Sequence, residues 1–304
     1  MREVPGGYSA RPFSGDDAPA VADLINAFEW AYLEEPDTVD AAEVAGWWRR
    51  SDLVTDSVAF IDADGEFGAI GVVYPRGEDI LDLDGFVLPA HQGRGLGAAL
   101  VTWLEDEAAR RGYPRVHSSS ITADSAATEL FAGHGFEQVR HFYRMAIDLE
   151  GPLAEPEWPP GFNVSLFAPG DEETVHRVLE EAFSDHWGQE PRDLEYWREH
   201  TFGAPWWDPT LVYLVREGDE PVAATVNAVR FGAGWIGTLG TLEPWRGRGL
   251  GRALLLTSFA EFHRRGETRV ALAVDAGNET GATHLYESVG MRVAWQADVW
   301  EKRL

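Results

Sequence analysis

The sequence predicts two tandem domains of the α/β (α+β) class, each a mixed, mostly antiparallel sheet flanked by helices. The first sign is Gln92-Gly93-Arg94-Gly95-Leu96-Gly97, which recurs 154 residues on as Arg246-Gly247-Arg248-Gly249-Leu250-Gly251. In both places a strand-like run precedes the glycines and an apolar helical pattern starts at the leucine. The second sign is the reach of the recurrence. Gly112 matches Gly266 and Phe13-Ser14-Gly15-Asp16-Asp17 matches Phe167-Ala168-Pro169-Gly170-Asp171 at the same offset, and Phe131 to Gly135 lies over Tyr286 to Gly290 at 155. A period of this length marks a duplicated domain, because solenoid and propeller repeats run at roughly 20 to 50 residues. The third sign is Gly151 to Gly161, whose prolines forbid helix and disfavour a central strand. It reads as a linker (151–161) between domains at 1–150 and 162–304, each large enough to bury its own core.

In the first half, Phe13 to Asp17 opens a helix through Ala20, Val21, Leu24 and Phe28, with Ser or Asp available as N-cap. A helix bearing Trp47 and Trp48 follows. Strands at Val58 to Asp62 and Ala69 to Tyr74 flank the turn Asp62-Ala63-Asp64-Gly65, a hairpin signal. The alternating run Ile80 to Leu88 leads into the glycine loop. The next helix carries Leu96, Leu100, Trp103 and Leu104 at three-to-four spacing and ends at Gly112. Then come a strand at Val116 to Ile121, a helix at Ala126 to Ala132 and a closing strand through Phe142 to Ile147. The second half repeats the order, with a helix near Val175 to Phe183, a hairpin at Glu217-Gly218-Asp219, and a strand to Thr241. After the loop come a helix to Arg265, a strand at Val270 to Val274, a helix at Ala282 to Val289 and a strand to Trp300.

Composition narrows the function. At 44% hydrophobic and 25% charged residues the chain has an ordinary globular composition. No run approaches the ~20 apolar residues of a membrane span and the N-terminus shows no signal-peptide core, so a cytoplasmic protein without a membrane partner is expected. Zero cysteines exclude disulfides, a cysteine nucleophile and thiolate metal sites. A formal charge of −26 opposes nucleic acid, whose phosphates such a field repels. Asn278-Glu279-Thr280 fits the glycosylation sequon by coincidence.

The loop has a physical purpose. A turn that wraps a pyrophosphate brings bare backbone N–H groups up to the phosphate oxygens through φ angles that a Cβ would oppose, and the helix behind it aims its positive end at the same anion. Gly93-x-Gly95-x-x-Ala98 also satisfies a loose dinucleotide-binding pattern. That pattern belongs after a first strand, with an acid ending the next strand about 20 residues on. Here several elements precede the loop, Val116 to Ile121 has no acid, and the second copy places Arg252 at the third small position.

These residues resemble the GNAT superfamily of acyl-CoA-dependent N-acyltransferases. The resemblance covers essentially the whole chain twice: strand, Gln/Arg-x-x-Gly-x-Gly, amphipathic helix, strand, Asn-bearing loop and short helix with Tyr. The tandem architecture is similar to that of mycothiol synthase and related two-domain acetyltransferases. The resemblance implies acetyl-CoA as co-substrate, held at Gln92 to Gly97 and Arg246 to Gly251. It implies that backbone N–H groups before each loop polarise the thioester carbonyl, at Phe86, Val87 and Leu88 and at Leu239, Gly240 and Thr241. It also implies a tyrosine acid on the last helix, eight residues after an Asn, which Asn278 and Tyr286 match. A tyrosine is protonated at pH 7 and can hand its proton to a departing thiolate given environmental help.

The first half has Ala123 and Phe131 at the equivalent places, so it keeps the phosphate loop without the acid and is expected to be non-catalytic. Asp82 and Asp84 share one strand face there and read as solvent-facing acids on an outer strand, or as bases if that half were active. The second pre-loop strand, Trp235 to Thr241, has no carboxylate, whereas mycothiol synthase carries a Glu there. His186, in the acceptor-side segment Asp185-His186-Trp187-Gly188, is a candidate for substrate binding or base, or else a surface or helix-end histidine; Glu243 is a second base candidate that reads rather as a turn residue before the loop. Trp187, Trp197, Trp206 and Trp207, with Trp30, Trp47 and Trp48 in the first half, divide between core and a cleft for an amine. His117 with Ser118, Ser119 and Ser120 reads as a polar strand, since no nucleophile-elbow pattern surrounds the serines. The expectation is acetyl transfer by direct attack of a small-molecule primary amine in the C-terminal domain, the alternative being a silent acyl-CoA-binding or sensor protein. No metal site is expected.

Overall fold

The computed structural model describes residues 4–151, 153–184, 186–278 and 281–304. Asp185 beside His186, Glu279-Thr280 of the sequon, Pro152 of the linker and Met1 to Glu3 lie outside the described residues.

Through the first half the elements run β1 (Tyr8–Arg11), α1 (Ala18–Tyr32), α2 (Ala41–Trp47), α3 (Leu53–Asp56), β2 (Ser57–Asp62), β3 (Phe67–Arg76), β4 (Ile80–Val87), α4 (Leu96–Arg111), β5 (Arg115–Ile121), α5 (Ser125–Gly133) and β6 (Glu137–Asp148). The second half gives β7 (Phe162–Leu166), α6 (Glu172–Phe183), α7 (Leu194–Trp197), β8 (Val212–Glu217), β9 (Glu220–Arg230), β10 (Ala233–Thr241), α8 (Leu250–Arg264), β11 (Arg269–Asp275), α9 (Ala282–Ser288) and β12 (Arg292–Arg303). Each expected hairpin forms around a left-handed glycine, at Gly65 and at Gly218. The Asp62 carboxylate accepts the Asp64 and Glu66 N–H groups and so closes the first turn.

Contacts divide the chain into two compact units, Met1–Tyr143 with Trp295–Leu304, and Arg144–Ala294. The first unit orders its strands β1-β2-β3-β4-β5-β12, and the second β7-β8-β9-β10-β11 followed by β6, of which Arg144–Asp148 lies in that unit. Strand β12 closes the first sheet: it pairs antiparallel with β5 from Ala297↔Ile121 to Arg303↔Arg115. By contacts, then, Trp295–Leu304 groups with the first unit although it follows the second loop in the chain. A sequence repeat records duplication and carries no information on which copy a closing strand will pair with.

In each unit β4/β5 and β10/β11 are parallel, while β1 to β4 and β7 to β10 pair antiparallel with their neighbours. Helix α4 lays Leu96, Leu100, Val101 and Leu104 on Phe60, Val73, Leu81 and Val116, the apolar stripe that its spacing predicts. Helix α8 does the same in the second unit, where Leu250 and Leu254 meet Tyr213, Val215 and Val222. Trp158, from the expected linker, packs on that cluster, so the linker's end is part of the second unit's fold.

Candidate active site

The two glycine loops share one geometry. Gly93 and Gly95 have φ of 71° and 84°, and Gly247 and Gly249 have 74° and 88°. These are left-handed values that favour glycine. Gly95 and Gly249 are the N-caps of α4 and α8, so the unbonded N–H groups of each first helical turn face the loop. The third glycines, Gly97 and Gly251, serve packing instead. A Cβ there would lie 2.9 Å from Leu130 and Leu285, the residues through which α5 and α9 approach the loop helices.

The side chains of both loops turn back to the scaffold. Gln92 donates to the Tyr32 hydroxyl at 2.6 Å, tying the first loop to α1. Arg246 donates to the Thr241 and Ala182 carbonyls at 3.1 and 3.0 Å, tying the second loop to its strand and to α6. Arg248 pairs with Glu217 at 3.3 Å. The backbone of each loop is what remains for an anion. Leu96 and Leu250, both 1% exposed, are core anchors.

Beside each loop the sheet splays. The β4/β5 ladder ends at Leu83↔Ser118 and the β10/β11 ladder at Trp235↔Ala271, so the later residues of β4 and β10 have no partner on that side. The Leu88 N–H is already spent on the Gly68 carbonyl, and the Leu242 N–H on the Val222 carbonyl. Because N–H groups alternate along an antiparallel ladder, Phe86 and Gly240 also point to the outer neighbour, while Val87, Leu239 and Thr241 point into the opening. Of the six amides expected at this place, three are thus directed into the opening and three to the neighbouring strand.

Tyr286 lies half-buried on α9, and burial pushes its hydroxyl up to about 12. Its counterpart Phe131 is 5% exposed, stacked on Trp300 at 5.7 Å and tilted against Phe136 at 5.3 Å. Asn278 and His186, 92 residues apart, meet: Asn278 Nδ2 lies 3.1 Å from His186 Nε2, and the imidazole rests on Phe183 with ring centroids 4.4 Å apart. The sequence alignment sets Ala123 opposite Asn278, but the structure supplies a related pair in the first unit one residue on. Asp124 caps α5 through the Ala127 N–H and accepts from Tyr32, whose hydroxyl is raised by burial and by that carboxylate. An offset of 154 rather than 155 across the loop would have found it.

The first unit's acids are not on an outer strand. β4 lies between β3 and β5, and Asp82 is buried beside Arg76 at 2.8 Å, with His117 Nδ1 at 3.7 Å. His117 Nε2 in turn lies 2.8 Å from Glu301, and Ser118 donates to the Leu83 carbonyl, so this strand's polar groups knit the sheet. Asp84 is accessible from a cleft yet surrounded by protein. Desolvation, with the Asp82 charge adding to it, pushes its carboxyl up to about 6, against a hydrogen bond from Tyr74. Glu243 is exposed and opens a turn before the second loop.

Trp48 and Trp197 are core residues, and Trp206 and Trp207 pack on the α6 cluster, whereas Trp30 and Trp187 are exposed. The cleft of the first unit holds about 460 Å³ and runs from the glycine loop to Asp84 between β4 and β5. No helix among the described residues is long and apolar enough to cross a membrane.

Duplicated loops at a splayed parallel pair define an acyl-CoA-dependent transferase fold. The model of the Acetyltransferase (GNAT) family matches residues 21–136 and 173–291, and the chain belongs to that family, as a tandem pair of its domains. It is an acetyltransferase, with acetyl-CoA as co-substrate. A mycothiol acetyltransferase of Thermobispora bispora is 35% identical over 225 residues, 71% of this chain and 74% of that protein. One of Kineococcus radiotolerans is 32% identical over 75% of each. A GCN5-related N-acetyltransferase from Sphaerobacter thermophilus superposes with a TM-score of 0.85 at 36% identity, covering 99% of this chain and 97% of that one. A tandem GNAT protein from the clavulanic acid pathway shares the fold at TM-score 0.77 and 16% identity, over 97% of this chain and 98% of that one.

Proposed function

We propose that the second unit transfers the acetyl group of acetyl-CoA to a small-molecule primary amine by direct attack, and that the first unit holds CoA without chemistry of its own. The observation that carries this reading is the contrast at the last helix: a tyrosine hydroxyl in the second unit, and Phe131 locked into the core in the first. The loop backbone at Gly247 to Gly251 takes the pyrophosphate, and the Leu239 and Thr241 N–H groups polarise the thioester carbonyl as negative charge develops on its oxygen. The amine nitrogen forms the new bond to the acyl carbon. As the C–S bond breaks, the thiolate takes the Tyr286 proton.

The strand before the second loop carries no carboxylate, and His186 is the side chain this reading assigns in its place. Held by Asn278 and Phe183, it binds the acceptor or takes the amine proton. That relatives of this chain are mycothiol acetyltransferases supports a small-molecule acceptor. The test is CoA-thiol release over a panel of primary amines with the intact chain. Tyr286→Phe should lower kcat by roughly 10²-fold or more with little change in acetyl-CoA affinity. Full turnover in that variant would leave Tyr286 a packing role only, and no turnover with any amine would favour the binding or sensor reading.

A further inference from the structure

We propose that the linker is a working part of the second unit's acetyl-CoA site, with Trp158 and Pro159 as positioning residues that brace the glycine loop; this rests on the reading that the backbone at Gly247 to Gly251 takes the pyrophosphate. The two units offer a matched comparison, because the offset of 154 sets Val4 over Trp158, Pro5 over Pro159, Tyr8 over Phe162 and Gly95 over Gly249. Both segments make the same turn into the first strand. The Tyr8 N–H donates to the Pro5 carbonyl at 3.2 Å, and the Phe162 N–H to the Pro159 carbonyl at 3.4 Å. They differ at the loop. Pro159 Cγ lies 3.6 Å from where a Cβ on Gly249 would stand, whereas no described residue comes within 4 Å of the same point on Gly95.

The residue before the proline accounts for the difference. Val4 is 38% exposed, while Trp158 packs on the cluster of Tyr213, Val215, Leu250 and Leu254, beside Leu239 and Trp245. Leu250 is the first residue of α8, and Leu239 carries one of the N–H groups directed into the opening. An indole anchored there sets the two prolines that follow, whose φ angles are already fixed, against the loop. From the β8–β9 hairpin, Glu217 accepts the Trp245 indole N–H at 2.8 Å and pairs with Arg248 at 3.3 Å. The loop is therefore held from the linker and from the hairpin before any ligand arrives. A backbone nest already in its binding geometry needs no further ordering when an anion enters, and its affinity is higher for that.

The test is calorimetry of acetyl-CoA on the intact chain, where the component that Gly249→Trp removes is the second unit's site. Trp158→Ala should weaken that component by about tenfold, the scale of ordering one loop side chain anew, and Trp158→Phe should recover most of it. Pro159→Ala takes away the ring atom at the loop and keeps the indole, so it should weaken the same component with the melting temperature unchanged. It also keeps the test decisive if Trp158→Ala is unstable. Val4→Ala, the matched change in the first unit, should leave acetyl-CoA binding as it is. In turnover, Trp158→Ala and Pro159→Ala should raise KM for acetyl-CoA and leave kcat at saturation in place, a split that loss of folded protein does not produce. Unchanged binding in both variants overturns the proposal, and so does tighter binding, which would make the linker an obstruction. If Gly249→Trp removes no component, the pyrophosphate reading fails together with the bracing. If it removes one that Trp158→Ala and Pro159→Ala spare, only the bracing fails.

Discussion

Two ionisable residues carry opposite consequences of the same physics. Burial favours the neutral form of any group, and it raises both Tyr286, to about 12, and Asp84, to about 6. For Tyr286 the neutral form is the working acid, so ionisation of its phenol should cause no loss of kcat up to about pH 10. An alkaline loss below that value which disappears in Tyr286→Phe would contradict the raised hydroxyl. For Asp84 the neutral form is the stable one. Its folded value lies above its unfolded value near 3.9, so its contribution to stability is full below about pH 4 and is lost as pH rises through about 6. Asp84→Asn should therefore melt higher than the parent at pH 7.5 and at the same temperature near pH 4. Equal shifts at both pH values would assign the change to packing.

At the scale of elements, glycine decides how close the helices come. Gly234 of β10 has the Phe262 ring of α8 at 2.7 Å from where a Cβ would stand, and Phe262 is fully buried with no side to retreat to. Gly234→Ala should then push α8 off the sheet at a cost of about 1–3 kcal/mol, the range for overpacking a filled core, read by urea unfolding. At Gly251 the obstruction is the tip of Leu285, a flexible group, and the same substitution should cost less there. If the two cost the same, contact distance is not what sets the penalty.

At the scale of the whole molecule, the closing strand settles which experiments are meaningful. Because Trp295–Leu304 belongs to the first unit, cutting the chain near its middle removes β12 from β5, and with it the Trp300 ring from Phe131 and its N–H from Ser120. The division of labour between the halves is therefore best tested in the intact chain, by Gly95→Trp against Gly249→Trp. Both place a side chain at left-handed φ on a loop helix cap. Gly249→Trp should abolish turnover with acetyl-CoA, while Gly95→Trp should lower CoA stoichiometry or stability more than turnover per folded molecule. The reverse pattern would move the chemistry to the first unit.

The duplication, the order of the longer helices and strands, the loops and the Asn278/Tyr286 spacing were legible in the residues, because each rests on local rules: periodicity, capping and the need for positive φ at Gly93, Gly95, Gly247 and Gly249; the short β1, α3, β7 and α7 were not. The GNAT resemblance rested on those same local motifs. What the tertiary structure alone decided is every fact that joins distant positions. Strand β12 closes the first sheet, Asn278 meets His186, and Asp124 rather than Ala123 answers Asn278 in the first unit. Leu88 loses its N–H to Gly68, and Asp84, an exposed acid as expected, stands on an inner strand beside a cleft rather than on an outer one. Sequence periodicity fixes which way a side chain points from its own strand. Only packing fixes what lies opposite, and burial, partner and pKa all follow from that.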